Sequence, residues 1–145
     1  MGKRRLSREI ALQVLYAHEM TGGPLEEIEK NLLEADPKRR NNYGDFGHGL
    51  VERVIKNVEK LDEVLQPAIL HWRLERLCQV DKQLLRMATC ELLLYEDIPM
   101  RVTLNEYIEL AKSYGTDDSP AFINGILDKL AKDHKVRDYF QFKAI

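Results

Sequence analysis

Between Val80 and Tyr95 the chain places ten apolar residues in sixteen positions, with no glycine or proline among them. The spacing predicts a helix over about 80–95, ended by Pro99. A helix that is apolar nearly all round must be covered by other elements on most of its sides. This segment is therefore the expected centre of the domain, and the rest of the chain has to wrap it. Arg86 and Glu91 fall inside it and read as structural charges, each of which needs a partner if buried.

The remaining pattern is helical throughout. A first helix starts at Ser7 or nearby and is stopped by Gly22, Gly23 and Pro24. Leu25 to Ala35 reads as a second, acidic helix, and Pro37 to Asn42 as a polar loop. A third helix is expected from about Asp45 to Leu65, where Phe46, Leu50, Val54, Val58 and Leu61 recur every three or four residues, until Pro67 breaks it. The cluster Gly44, Gly47 and Gly49 reads as a flexible entry to that helix. Trp72 reads as a plug in the core or between the two halves. No strand alternation or hairpin signal interrupts the series, so the expected fold class is all-α, without a β-sheet.

The stretch Val102 to Asp128 reads as two more helices joined by an acidic elbow. Thr103 and Glu106 have the spacing of a capping box. Leu104, Tyr107, Ile108, Ala111 and Tyr114 share one face, and Gly115 is expected to end the helix in the left-handed conformation. Asp118, Ser119 and Pro120 then open the last helix, whose buried stripe is Ile123, Ile126, Leu127 and Leu130.

A length of 145 residues, with 44% hydrophobic and 32% charged residues, suits one domain with a sizeable core and a solvated surface. No signal peptide is recognisable, and no run approaches the roughly 20 apolar residues of a membrane span. Cys78 and Cys90 lack C-x-x-C spacing and read as reduced thiols, so a cytoplasmic protein is expected. His18, His48, His71 and His134 are dispersed, and no metal-ligand spacing, G-x-S-x-G or P-loop is present. Asp117 and Asp118 read as helix-start acids rather than a catalytic pair. Enzyme is the losing class, with no cofactor, metal or catalytic residue expected.

The net charge of −2 hides an asymmetry. Lys3, Arg4, Arg5 and Arg8 stand without an acid in residues 1–8, whereas residues 25–36 hold five acids against Lys30 alone. A basic end on an acidic body suits a local contact with a polyanion, or is simply a solvated terminus. In the first helix Ile10, Ala11, Val14, Leu15 and Ala17 read as core. Tyr16 lies roughly opposite, in line with Leu12 and Arg5. Guanidinium groups beside an exposed aromatic ring suit single-stranded RNA, with its phosphates and stackable bases. The pattern equally allows Tyr16 and Leu12 to pack on a second layer of the domain, and Phe122, a quarter-turn off its buried stripe, to be core.

The motifs resemble the NusB family of bacterial transcription antitermination factors along nearly the whole chain. Arg4, Arg5 and Arg8 followed by Ala11, Gln13, Leu15 and Tyr16 resemble its arginine-rich opening. Trp72, Arg76, Leu77, Leu85, Arg86, Ala88, Glu91 and Leu92 resemble its central pattern, and N-E-x-I-E-L-A-K-S-Y-G-x-D-D-S-x-x-F-I-N-G-I-L-D its C-terminal signature.

The resemblance implies two small helical bundles packed together, about 1–66 and 67–145, forming a single RNA-binding domain. It implies RNA binding by Lys3, Arg4, Arg5, Arg8, Gln13, Tyr16 and Phe122, and partner-binding or tuning roles for Asp81 and Asp118. The expected ligand is a single-stranded boxA-type RNA of ribosomal RNA leaders. The expected partners are NusE and, in the larger complex, NusA, NusG and RNA polymerase. Leu6, Pro120 and Ala121 stand where relatives can place polar or basic residues. Two alternatives remain: an RNA-targeting module in ribosomal RNA maturation, and a helical adaptor that binds proteins alone. The aromatic tail of Tyr139, Phe140 and Phe142 would dock on the body or on a second copy, so a homodimer stays open.

Overall fold

The computed structural model describes residues 3–133. Among them are seven α-helices and no strand: α1 (Lys3–Thr21), α2 (Leu25–Leu33), α3 (Pro37–Lys56), α4 (Val58–Leu65), α5 (Gln79–Leu94), α6 (Met100–Tyr114) and α7 (Ser119–Lys132). The all-α expectation therefore holds. The chain forms two compact units, one ending at Arg53 and the other beginning at Val54. The aromatic tail and His134 lie outside the described residues.

In the first unit α1 packs on α2, and α1 runs back to Lys3, a full turn before the expected start at Ser7. Ile10, Ala11, Val14 and Leu15 are buried, as expected of its core face. Leu12 is buried as well, so it does not share Tyr16's exposed line. The segment 37–42, expected to be a loop, is the first part of α3. Its start signal is Asp36–Pro37. The Asp36 carboxylate accepts the Lys38 N–H at 2.9 Å, and Pro37 supplies a preset φ at the first helical position. Gly44 then leaves helical geometry at φ 51° and ψ −159° and kinks α3. A side chain at that φ would be strained, so glycine marks a kink within the helix rather than a flexible entry to it.

In the second unit α5 is the centre. Every residue from Lys82 to Leu93 is buried, and α4, α6 and α7 pack against it. Each fully buried Leu or Met contributes roughly 1.5–3 kcal/mol relative to an exposed one. The two charges inside it have partners. Arg86 reaches Asp62 of α4, and the Tyr107 hydroxyl of α6 donates to the Glu91 carboxylate.

The third helix expected from the sequence is two helices, because Asn57 (φ −109°, ψ 14°) interrupts it before α4. Trp72 is not a plug: it is 63% exposed, beside exposed Leu70. The Gln66 side chain explains this by holding the loop through its backbone. Its amide donates to the Trp72 carbonyl at 3.0 Å and accepts the Leu74 N–H at 2.9 Å.

Two details of the C-terminal pair also differ from expectation. Helix α6 begins at Met100, so Thr103 lies one turn inside it, buried, with no hydrogen-bond partner on its hydroxyl rather than as a cap. Gly115 is extended (φ −93°, ψ −167°), not left-handed. Glycine is needed there for space, since a Cβ would stand 2.5 Å from Ser119 Oγ and 2.9 Å from the Ala111 carbonyl oxygen.

Candidate nucleic-acid interface

The first turns of α1 carry Lys3, Arg4 and Arg5 and no acidic residue. Cations at a helix N-terminus oppose the macrodipole, at a cost of about 0.3–1 kcal/mol each when exposed. An aromatic ring offsets part of this. The Arg4 guanidinium lies 4.7 Å and that of Arg8 5.1 Å from the centroid of the Phe46 ring on α3. Two guanidinium groups one helical turn apart thus share one aromatic ring. Ser7, between them, is buried and donates its hydroxyl to the Tyr43 carbonyl at 2.7 Å, which ties α1 to the segment just before the Gly44 kink.

The basic residues are not equivalent. Lys3 and Arg4 are exposed and Arg5 is half-buried. Arg8 is only 2% exposed, so its charge lies beneath the surface that its neighbours present. An anion near the start of α1 would meet Lys3, Arg4, Arg5 and the positive end of the helix together.

Further along α1, Tyr16 is 41% exposed, its ring on the surface. Gln13, three residues earlier and so a neighbour on the helix surface, is half-buried. Its side-chain oxygen accepts a hydrogen bond from Arg39 Nη2 on α3. The Arg39 Nε–H donates to the Leu32 carbonyl at the end of α2, at 3.2 Å. Sequence reasoning missed both Phe46 and Arg39. Phe46 showed only as one position of an apolar stripe, and Arg39 only as part of a polar loop.

A polar cluster built on buried Glu29 and Tyr43 holds α2 to α3 in the same unit. The Tyr43 hydroxyl donates to Glu29 Oε2 at 2.5 Å, and His48 Nδ1 lies 2.6 Å from the same oxygen. His48 Nε2 lies 3.2 Å from Glu52. Burial, followed by the hydrogen bond to Glu29, pushes the Tyr43 phenol far up, so it stays protonated. The hydrogen bond to Glu29 raises the His48 imidazole above its ordinary value against the opposing effect of burial.

The other proposed site residues belong to the second unit. Phe122 is half-buried in the first turn of α7, and its N–H donates to the Asp118 carbonyl at 3.1 Å. Asp118 is exposed at the start of α7 and makes no side-chain cap bond. The buried Ser119 hydroxyl accepts the Thr116 N–H at 3.0 Å instead. Asp81 stands in the first turn of α5, half-buried, with Oδ1 shielded from water and without a hydrogen-bond partner. Cys78, just before α5, is an exposed free thiol whose pKa is raised, chiefly by partial burial. Among the described residues no group of three or more side chains could hold a metal ion, and no helix is long and apolar enough to cross a membrane.

Comparison with known proteins matches this arrangement to one family. The NusB family profile matches residues 5–132. The transcription antitermination protein NusB of Geobacter sulfurreducens is 43% identical over 131 residues, covering 90% of this chain and 95% of that one. The structure of T. maritima NusB superposes with a TM-score of 0.82 at 34% identity, covering 97% of this chain and 98% of that one. A structure described as antitermination factors NusB and NusE in complex with double-stranded RNA has a TM-score of 0.81 at 23% identity, covering 91% and 98%. That last likeness concerns the fold alone.

Proposed function

The chain belongs to the NusB family, and from that premise we propose that it is a transcription antitermination factor acting on a boxA-type RNA of ribosomal RNA leaders. It acts in the cytoplasm and by binding, without catalysing a reaction. Its partner is NusE, and the pair joins NusA, NusG and RNA polymerase so that transcription passes terminators. Two weak RNA surfaces on one heterodimer bind jointly better than either alone, because the second contact is made at high effective concentration.

The observation that carries this reading is the surface of α1, where Lys3 and Arg4 are exposed at the helix start and exposed Tyr16 follows about three turns on, in line with Arg5. Cations at the helix start suit phosphates, and an exposed ring suits an unpaired base. Lys3, Arg4, Arg5 and Tyr16 supply direct contacts in this reading. Arg8, buried against Phe46, holds that face in place, and Gln13 extends it. Phe122 adds a second aromatic contact from α7. Asp118, one turn before it, and Asp81 tune the assembly through their negative charge.

The test is binding of a labelled boxA-like single strand, and of a duplex of the same sequence, with and without NusE. Preferential single-strand binding that tightens with NusE is expected. It should weaken with rising salt, by about 0.7 in the log–log slope for each phosphate contacted. Equal binding to the duplex, or no effect of NusE, would overturn the reading.

A further inference from the structure

We infer that Arg39, together with Lys38 and Arg40, forms a second cationic RNA contact beside Gln13, so that the site continues from α1 onto the start of α3. The inference rests on the RNA-binding reading of α1 and assigns residues outside the arginine-rich opening. Its basis is a connection visible only in three dimensions. Arg39 stands 26 positions from Gln13 in the chain, yet its guanidinium is bonded to the Gln13 side chain.

The chemistry of that bond fixes both groups. A guanidinium carries only donors, so the Gln13 atom facing it must be the amide oxygen. The two N–H donors of Gln13 are then directed away from Arg39, ready for a phosphate or a base acceptor. Arg39 is anchored in turn, because its Nε–H is committed to the Leu32 carbonyl. Two of its five donors are used in these bonds, which orients the flat guanidinium and lowers the entropy lost when a phosphate binds. Tyr16 lies one helical turn beyond Gln13 on α1, next in line as a stacking platform.

Electrostatics point the same way. Lys38 and Arg40 flank Arg39 and are exposed, and the three cations occupy the first turn of α3 beside Pro37, with no acid in that turn. As at the start of α1, this opposes the helix dipole and so gains nothing for folding. An anion bound there would satisfy the cations and the helix end together. Asp36 is the nearest acid in sequence, and its carboxylate already accepts the Lys38 N–H.

The experiment titrates the boxA-like single strand at several salt concentrations against wild type, Arg4→Ala, Arg39→Gln, Gln13→Ala and the Arg39→Gln/Gln13→Ala pair. Arg39→Gln should bind several-fold more weakly, with the salt slope flattened by about 0.7. The double variant should lose less than the sum of the two single losses, since Arg39 acts partly by holding Gln13. Lys38→Ala/Arg40→Ala removes exposed side chains only and provides a well-folded second test, in which the slope should also flatten. Wild type that binds no RNA would overturn the reading of α1 itself. Wild type that binds, weakened by Arg4→Ala but with slope and affinity unchanged in all the α3 variants, would overturn only the second contact.

Discussion

Arg86 of α5 donates from Nε to one carboxylate oxygen of Asp62 on α4 at 2.9 Å and from Nη2 to the other at 2.8 Å. This two-point pairing holds the most buried helix to its neighbour. Arg86 is nearly enclosed whereas Asp62 stays partly open to water, so the pair escapes the full desolvation penalty of a dry ion pair. Asp62→Ala would leave the guanidinium enclosed without its acceptor. Denaturant unfolding should show a loss of about 1.5–3 kcal/mol, the range for hydrogen bonds to charged groups. Asp62→Asn, which keeps one acceptor, should lose less. Equal stability of all three proteins would show that water replaces the carboxylate at no cost.

His48 should make stability fall as pH rises. Its hydrogen bond to Glu29 raises the folded-state pKa above the ordinary 6.5. A group raised in the folded state stabilises fully below its unfolded pKa, and that contribution is lost as pH climbs through the folded value. The ring is 46% exposed, so solvent screens the effect and it should be modest. The melting midpoint of the wild type is expected to decline as pH rises from the ordinary 6.5 through the raised folded-state value, and His48→Gln should flatten that decline. A decline of the same size in the variant would assign it to other groups.

Tyr16→Ala should separate binding from folding. The ring is exposed, so stability should change by less than about 0.5 kcal/mol, as for other surface substitutions. RNA affinity should fall by about 1–3 kcal/mol if a base stacks on the ring. Phe122→Ala removes a half-buried ring and should lower both. Titration with the boxA-like strand alongside thermal melts distinguishes the two. Full RNA affinity in a folded Tyr16→Ala protein would remove Tyr16 from the interface.

Gly115→Ala should be costly although Gly115 has an ordinary negative φ. The new methyl would meet Ser119 Oγ at 2.5 Å and the Ala111 carbonyl oxygen at 2.9 Å. Overpacking of this kind typically costs about 1–3 kcal/mol. Moving Ser119 would also break its bond to the Thr116 N–H, loosening the elbow before α7. A melting temperature equal to wild type would mean that the elbow shifts without strain.

The sequence by itself determined the all-α class, the central place of α5 and the core faces of α1 and α7, because these follow from periodic apolar patterns and local stop signals. The Asp36–Pro37 start of α3 went unread, because the polar residues after it suggested a loop. Only the tertiary structure decided which charges met partners. That Arg8 lies buried on Phe46 and that Arg39 holds Gln13 are contacts between residues 26 or more positions apart, which no local pattern encodes. It also decided that Trp72 faces solvent, since the Gln66 side chain fixes that loop by its backbone and leaves the ring outside. Burial depends on what arrives from the rest of the chain, whereas helix formation depends mostly on neighbours in sequence.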